Sequence, residues 1–219
     1  MLVSRLTMET RINKYLAEQG YASRREADGL IAQGLVKLNG QIAKLGDKVK
    51  ETDKVEVLAT PKNYIYLAYH KPRGVATEDI PLTRLVGHST TPIFPIGRLD
   101  KESEGLMILT NDGRLTTKLL GEKNKVEKEY VVEVDKKVDG LDLKKMSVGM
   151  EIEGEQTKPA KTARLGERGF KIILTEGKKH QIRRMCAGLG YQVLSLKRVR
   201  LGDIHLGQLP AGATRVVKF

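Results

Sequence analysis

The sequence predicts an α+β protein built as two unequal units, a small N-terminal α/β unit followed by a larger strand-rich one. Three observations predict it. Over residues 10–57 two short helical patterns joined by a capping signal give way to an Asn-Gly hairpin. A proline-bearing polar break, Ala59-Thr60-Pro61-Lys62-Asn63, then interrupts the periodicity. Beyond it, short β-rich runs recur near 64–69, 105–110, 129–134, 170–174 and 192–199, separated by glycine-bounded polar loops. The expected boundaries are therefore 8–58 for the first unit, 59–63 for a linker and 64–219 for the second. At 219 residues, 40% hydrophobic and 30% charged, the chain has enough apolar material for ordinary cores and none of the bias of a disordered segment.

In the first unit, Ile12 and Leu16 share a helix face and Gly20 is placed to stop that helix. Ser23 and Glu26 have the S-x-x-E spacing in which each side chain satisfies an orphan backbone N–H at the start of a second helix, expected to run to about Gln33. Gly34 ends it. Leu35-Val36-Lys37-Leu38 is short, apolar and strand-like, and Asn39-Gly40 supplies the positive φ angles of a tight turn.

In the second unit, the strand-like Tyr64–Tyr69 run leads into His70-Lys71-Pro72-Arg73-Gly74, a turn. The segment from Ile96 to Gly113 sets a glycine-bounded polar loop before a short apolar strand and another turn, Thr110-Asn111-Asp112-Gly113, read as scaffold. Three acids, Asp100, Glu102 and Glu104, lie in that loop, and composition does not say which of them does chemistry. In Glu127–Val134, Tyr130, Val132 and Val134 share a strand face, so Tyr130 by itself reads as a core tyrosine. A helix beginning near Lys178 would put Ile182, Met185 and Leu189 on an apolar stripe and leave Arg183 and Arg184 on adjacent faces.

Charge narrows the partners. Lys plus Arg number 39 against 27 acids, a net +12 and a pI near 9.7, which favours a polyanion. Residues 1–60 carry only +2 of this, so the basic character sits mainly in the second unit. Between Gly177 and Gly202 there is no acid, but Lys178, Lys179, Arg183, Arg184, Lys197, Arg198 and Arg200 are present. No apolar run approaches the roughly 20 residues of a spanning helix, and the first ten residues lack the apolar core of a signal peptide, so a cytoplasmic protein without membrane partners is expected. The single cysteine, Cys186, has no partner for a disulfide and reads as a buried small apolar residue. The four His are scattered, so no metal site is expected. No exposed heptad or apolar stripe argues for self-association, and a monomer is expected.

Two resemblances go further. The pattern R-I-N-K-Y-L-A…G-Y-A-S-R-R-E-A-D…I-A-Q-G-L-V-K-L-N-G resembles the S4-type RNA-binding domain over about fifty residues. It implies that Arg11, Lys14, Ser23, Arg24, Arg25 and Lys37 contact RNA. Essentially all of residues 10–219 resembles the RsuA/RluB/RluE/RluF family of pseudouridine synthases, closest to its RluF branch. The resemblance rests on K-P-R-G, G-R-L-D-x-x-S-x-G-L, E-K-E-Y and E-G-K-K-H-Q-I-R-R-M, in that order. It implies a catalytic domain on a mixed, mainly antiparallel sheet with flanking helices. The implied activity isomerises a uridine of structured RNA without a cofactor: the uracil–ribose bond breaks, the base turns, and it is rejoined through carbon.

The resemblance also assigns roles. Asp100 matches the catalytic aspartate, Arg183 the cation paired with it, and Tyr130 the aromatic ring stacked on the uracil. A buried carboxylate stays ionised only beside such a cation. Whether Asp100 attacks sugar or base, or assists elimination, is left open. Arg98 is the candidate for filling the space vacated by an extruded uridine. Lys71, Arg73, Leu174 and Arg184 are further expected substrate contacts, and Lys178, Lys179, His180 and Gln181 expected RNA contacts. A ribosomal RNA target is expected, large-subunit 23S rRNA ahead of small-subunit rRNA or tRNA. The rival from another class is a non-enzymatic RNA-binding or ribosome-assembly protein; a hydrolase using Glu102 and Glu104 is a weaker one.

Overall fold

The computed structural model describes residues 9–58, 64–85 and 92–219, so the expected linker at 59–63 lies outside the described residues. Two units separate, one comprising residues up to Tyr64 with Asp112–Leu115, the other Ile65–Asn111 with Thr116–Phe219.

The first unit contains β1 (Thr10–Arg11), α1 (Ile12–Glu18), α2 (Arg24–Ala32), β2 (Val36–Leu38), β3 (Gln41–Ile42), β4 (Lys48–Val49) and β5 (Val55–Val57). The capping box forms as its spacing predicts: the Ser23 hydroxyl accepts from the Glu26 N–H at 3.3 Å, and the Glu26 carboxylate accepts from the Ser23 N–H at 2.9 Å. Asn39 and Gly40, with φ of 51° and 83°, turn β2 back onto β3, and β5 pairs the other edge of β2. Ile12, Leu16, Ala27, Ile31 and Val36 close the core.

The second unit contains β6 (Tyr66–Lys71), α3 (Leu82–Leu85), β7 (Phe94–Ile96), β8 (Glu104–Thr110), α4 (Arg114–Leu120) from Thr116 onward, β9 (Lys128–Val134), α5 (Gly140–Val148), β10 (Glu151–Ile152), β11 (Glu155–Gln156), β12 (Lys161–Leu165), β13 (Gly169–Leu174), α6 (Gln181–Gly188), β14 (Val193–Leu201), β15 (Ile204–His205) and β16 (Thr214–Val216). Its sheet runs β12-β13-β9-β14-β8-β6-β16, with β15 on β14 and β7 on β8. Among the described residues only β14 and β8 pair in parallel, so the sheet is mixed and mainly antiparallel. That parallel pairing covers two residues, Lys197 opposite Glu104 and Arg198 opposite Gly105. A side chain at Gly105 (φ 112°) would stand 2.3 Å from the Arg198 carbonyl oxygen, so only glycine lets the two strands approach.

One sheet face carries two adjoining cores. Val132, Val134, Phe170, Ile172 and Leu196 pack beneath Leu143 and Met146 of α5 and Ile182, Met185 and Cys186 of α6. Leu67, Tyr69, Met107 and Leu109 pack with Ile80 and Leu99. Tyr130 touches both clusters, at their seam. Burial pushes the Cys186 thiol up to about 12, as suits a small core residue. Two boundaries differ from the sequence reading. The strand read as 64–69 runs on through Lys71, because the turn begins only at Pro72, which has no N–H for the ladder. The helix read from Lys178 starts at Gln181, because His180 (φ 50°) holds a left-handed conformation that ends the preceding loop.

Candidate active site

Between the end of β7 at Ile96 and the start of β8 at Glu104, residues 97–103 form the loop that bears Asp100. Neighbouring residues hold its backbone at several points. The buried Thr77 hydroxyl donates to the Leu99 carbonyl at 2.9 Å and accepts from the Leu99 N–H at 3.2 Å. The Lys101 carbonyl accepts from the Gly74 N–H at 2.8 Å, and the Asp100 carbonyl accepts from the Ser103 N–H at 3.0 Å, closing a turn. Leu99 itself is buried and anchors the loop in the smaller core.

The Asp100 carboxylate is 35% exposed, and its Oδ1 lies 3.4 Å from His180 Nε2. Here the structure departs from the expected direct pairing with Arg183. Arg183 Nη2 instead donates to the Glu102 carbonyl at 2.9 Å and to the buried Ser103 hydroxyl at 3.3 Å, and among the described residues Arg183 makes no ion pair with Asp100. The guanidinium is drawn to a turn that offers two acceptors side by side, while the left-handed backbone of His180 brings the imidazole to the carboxylate. Arg183 Nε is buried without a partner.

Tyr130, partly buried, stands opposite Ile172 on β13 and Arg198 on β14, and its ring packs against the cluster that contains Leu99. Arg198 is buried, donates from Nε to the Leu106 carbonyl at 2.6 Å, and has no partner for Nη2. Arg98 is exposed, with no ion pair among the described residues.

Several expected contacts are committed elsewhere. Lys71 is fully buried, and its ammonium donates to the carbonyls of Pro72 (3.0 Å) and Val75 (2.6 Å), which removes it from direct contact with a substrate. Burial pushes it below the usual lysine range, while the negative charges of Asp100, Glu102 and Glu104 pull it back up; it is a buried cation within the field of the loop. Gln181 is buried and braces the turn before α6, donating to Glu176 at 2.6 Å and accepting from the Lys178 N–H at 3.1 Å, so it does not face RNA. Arg184 pairs with Glu153 at 2.8 Å and donates to the Ile152 carbonyl at 3.1 Å, which occupies the group expected to hold phosphate. Leu174 is a core residue. Ser23 spends its hydroxyl on capping α2.

Other residues remain available. Arg73 is exposed and holds the Leu194 carbonyl at 2.9 Å with Glu102 at 3.5 Å. Lys178 pairs with Glu155 at 3.3 Å, and Lys179 is exposed. In the first unit Arg11, Arg24 and Arg25 are exposed without ion pairs among the described residues, Lys37 is half-buried, and Lys14 pairs with Glu18 at 3.6 Å. A cavity of about 400 Å³ lies between α6 and the β10–β11 hairpin, sharing His180 and Arg183 with the surroundings of Asp100 but lined by neither Asp100 nor Tyr130. Among the described residues no group of His, Cys, Asp or Glu is arranged to hold a metal, and no helix is long and apolar enough to cross a membrane. Thr77 was missed by sequence reading, since a threonine after a turn gives no sign of the backbone it will meet.

Comparison with known proteins places this geometry. The RNA pseudouridylate synthase profile matches residues 65–188, and the S4 domain profile matches residues 10–55. The chain is 44% identical over 216 residues to the dual-specificity RNA pseudouridine synthase RluF of Escherichia coli (strain K12), covering 94% of this chain and 74% of that one. It is 40% identical to an RNA pseudouridine synthase of Aquifex aeolicus (strain VF5), covering 95% and 90%. A crystal structure of a pseudouridylate synthase superposes with a TM-score of 0.71 at 30% identity, covering 95% of this chain and 96% of the other. With an S4 domain ahead of a synthase sheet, and a close match in sequence and fold along nearly its whole length, the chain belongs to the RNA pseudouridylate synthase family, the enzymes that isomerise uridine in RNA.

Proposed function

We propose that this enzyme converts a specific uridine of structured ribosomal RNA to pseudouridine, with large-subunit RNA favoured, and that Asp100 is its catalytic carboxylate. The observation that carries the reading is the setting of Asp100. A one-third-exposed carboxylate heads a turn whose backbone is tied down on both sides, with an imidazole at 3.4 Å and the charge of a buried lysine within reach. The chemistry needs the carboxylate in its ionised form, and the buried lysine supplies a positive charge in the field of the loop. The carboxylate then acts as nucleophile or stabilises a cationic sugar while the N1–C1′ bond breaks. The base turns and C5 bonds to C1′, with any bond to the carboxylate breaking; the C5 proton is then lost to a base and N1 takes up a proton, so the product is an isomer of the substrate. Tyr130, packed against the cluster that holds Leu99, is suited to stack on a ring that must rotate yet stay flat. Arg183 orders the turn through Glu102 and Ser103, and exposed Arg98 is free to enter the space left by the extruded base.

The relative from Escherichia coli is named for dual specificity, which favours a second reading for this chain: more than one uridine target. Incubating the protein with ribosomal RNA and with tRNA, and mapping pseudouridine, separates the readings. Product in ribosomal RNA is expected; product confined to tRNA overturns the substrate, and no product in either overturns the activity. Asp100→Asn should abolish turnover with RNA affinity kept within a few-fold, and undiminished turnover in that variant overturns the assignment of Asp100.

A further inference from the structure

We propose that Thr77 is a positioning residue for Asp100, an inference that rests on reading Asp100 as the catalytic carboxylate. Leu99 is buried but lies between strands, after β7 and before β8, where no ladder takes up its N–H and carbonyl. A buried backbone pair left unpaired is costly, so something must replace the missing strand. Among the described residues the Thr77 hydroxyl does so alone, accepting from the Leu99 N–H at 3.2 Å and donating to the Leu99 carbonyl at 2.9 Å. Its base is firm: Thr77 is buried at the start of a short 3₁₀ turn, Thr77–Asp79, and Ile80 just beyond packs in the same cluster as the Leu99 side chain.

The effect falls on the next residue. Asp100 lies between Leu99, held by Thr77, and Lys101, whose carbonyl accepts from the Gly74 N–H at 2.8 Å. One loop, residues 74–77, therefore brackets the carboxylate-bearing residue from both sides. Without the hydroxyl, Leu99 must seek water for its polar groups, and the backbone that aims Asp100 shifts with it. A displacement of about 1 Å at a reacting group costs on the order of 100-fold in rate.

The test compares Thr77→Ser with Thr77→Ala, which both lose the methyl and differ only in the hydroxyl. Thr77→Val, which keeps the volume without the hydroxyl, serves if the alanine variant does not fold. With an RNA substrate, Thr77→Ala or Thr77→Val should lower kcat by about 10- to 100-fold and leave KM within about two-fold, while Thr77→Ser stays within about three-fold of wild type. Equal rates for the serine variant and the hydroxyl-free variant overturn the proposal, as does a loss confined to KM. Asp100→Asn is run beside them. If it keeps its turnover, the reading of Asp100 has failed; if it is inactive while Thr77→Ala matches wild type, only the role of Thr77 has failed.

Discussion

The place beside Asp100 that the motif suggests for Arg183 is taken by His180, which was expected only to contact RNA. The guanidinium grips the main chain of the catalytic turn and Ser103, and the imidazole meets Asp100. Arg183 thus reaches the carboxylate through the turn, and its buried Nε is a donor not yet used. Arg183→Ala should therefore lower single-turnover rates by about 100-fold while RNA affinity, measured by titration, stays within a few-fold; equal losses in both would make it an RNA-holding residue only. Residue types and turn chemistry made the polar loop readable from sequence, while Asp100 was singled out from its three acids only by the family resemblance. Lys71, Gln181 and Arg184 were misread for one reason: a sequence shows that a side chain is polar or charged, but not whether it ends against a buried carbonyl or a neighbouring acid. That is settled by residues distant in the chain.

The elements were readable where alternation is clean. In β13, Phe170, Ile172 and Leu174 are buried while the residues between them are not, so the strand announces itself. β14 is harder, because register shifts after Val193 and after Arg198 break the period. Its Arg200 ties it to β9: it donates to Glu129 at 2.8 Å and to Glu127 at 2.9 Å, and Lys161 and Lys171 bring in β12 and β13 through the same two acids. Lys161 foremost, then Arg200, holds the Glu127 carboxyl below its usual range; for Glu129 the largest influence is Lys171, with Arg200 also lowering it against the cost of burial. Carboxyls depressed in the folded state stabilise it above the ordinary carboxylate range, and that stability is lost as pH falls through their folded values. Arg200→Ala should cost about 1–3 kcal/mol at neutral pH, read as a lower denaturant midpoint at unchanged slope. It should also flatten the decline of stability below the ordinary glutamate value of 4.5. An acid limb as steep as that of wild type would show that the network does not act through Arg200.

At the scale of the whole molecule, the net charge of +12 misleads if it is read along the chain. The stretch from Gly177 to Gly202 holds no acid, yet folding returns acids to it from elsewhere: Glu155 to Lys178, Glu153 to Arg184, Glu104 to Lys197, and Glu127 and Glu129 to Arg200. The first unit behaves oppositely. Its first 60 residues sum to only +2, but Arg11, Arg24 and Arg25 are exposed and unpaired among the described residues. Counterions released from RNA track unpaired cations rather than net charge, so the modestly charged unit should contribute much of the salt dependence. Affinity for an RNA substrate should fall steeply as salt rises from about 50 to about 200 mM, with each phosphate contact adding roughly 0.7–0.9 to the logarithmic slope. Replacing Arg11, Arg24 and Arg25 together by alanine should weaken binding at low salt and reduce that slope by about 2–3, measured by fluorescence anisotropy across a salt series. An unchanged slope would mean that these arginines meet only solvent, and that the phosphate-binding surface lies on the synthase unit despite the acids folded against it.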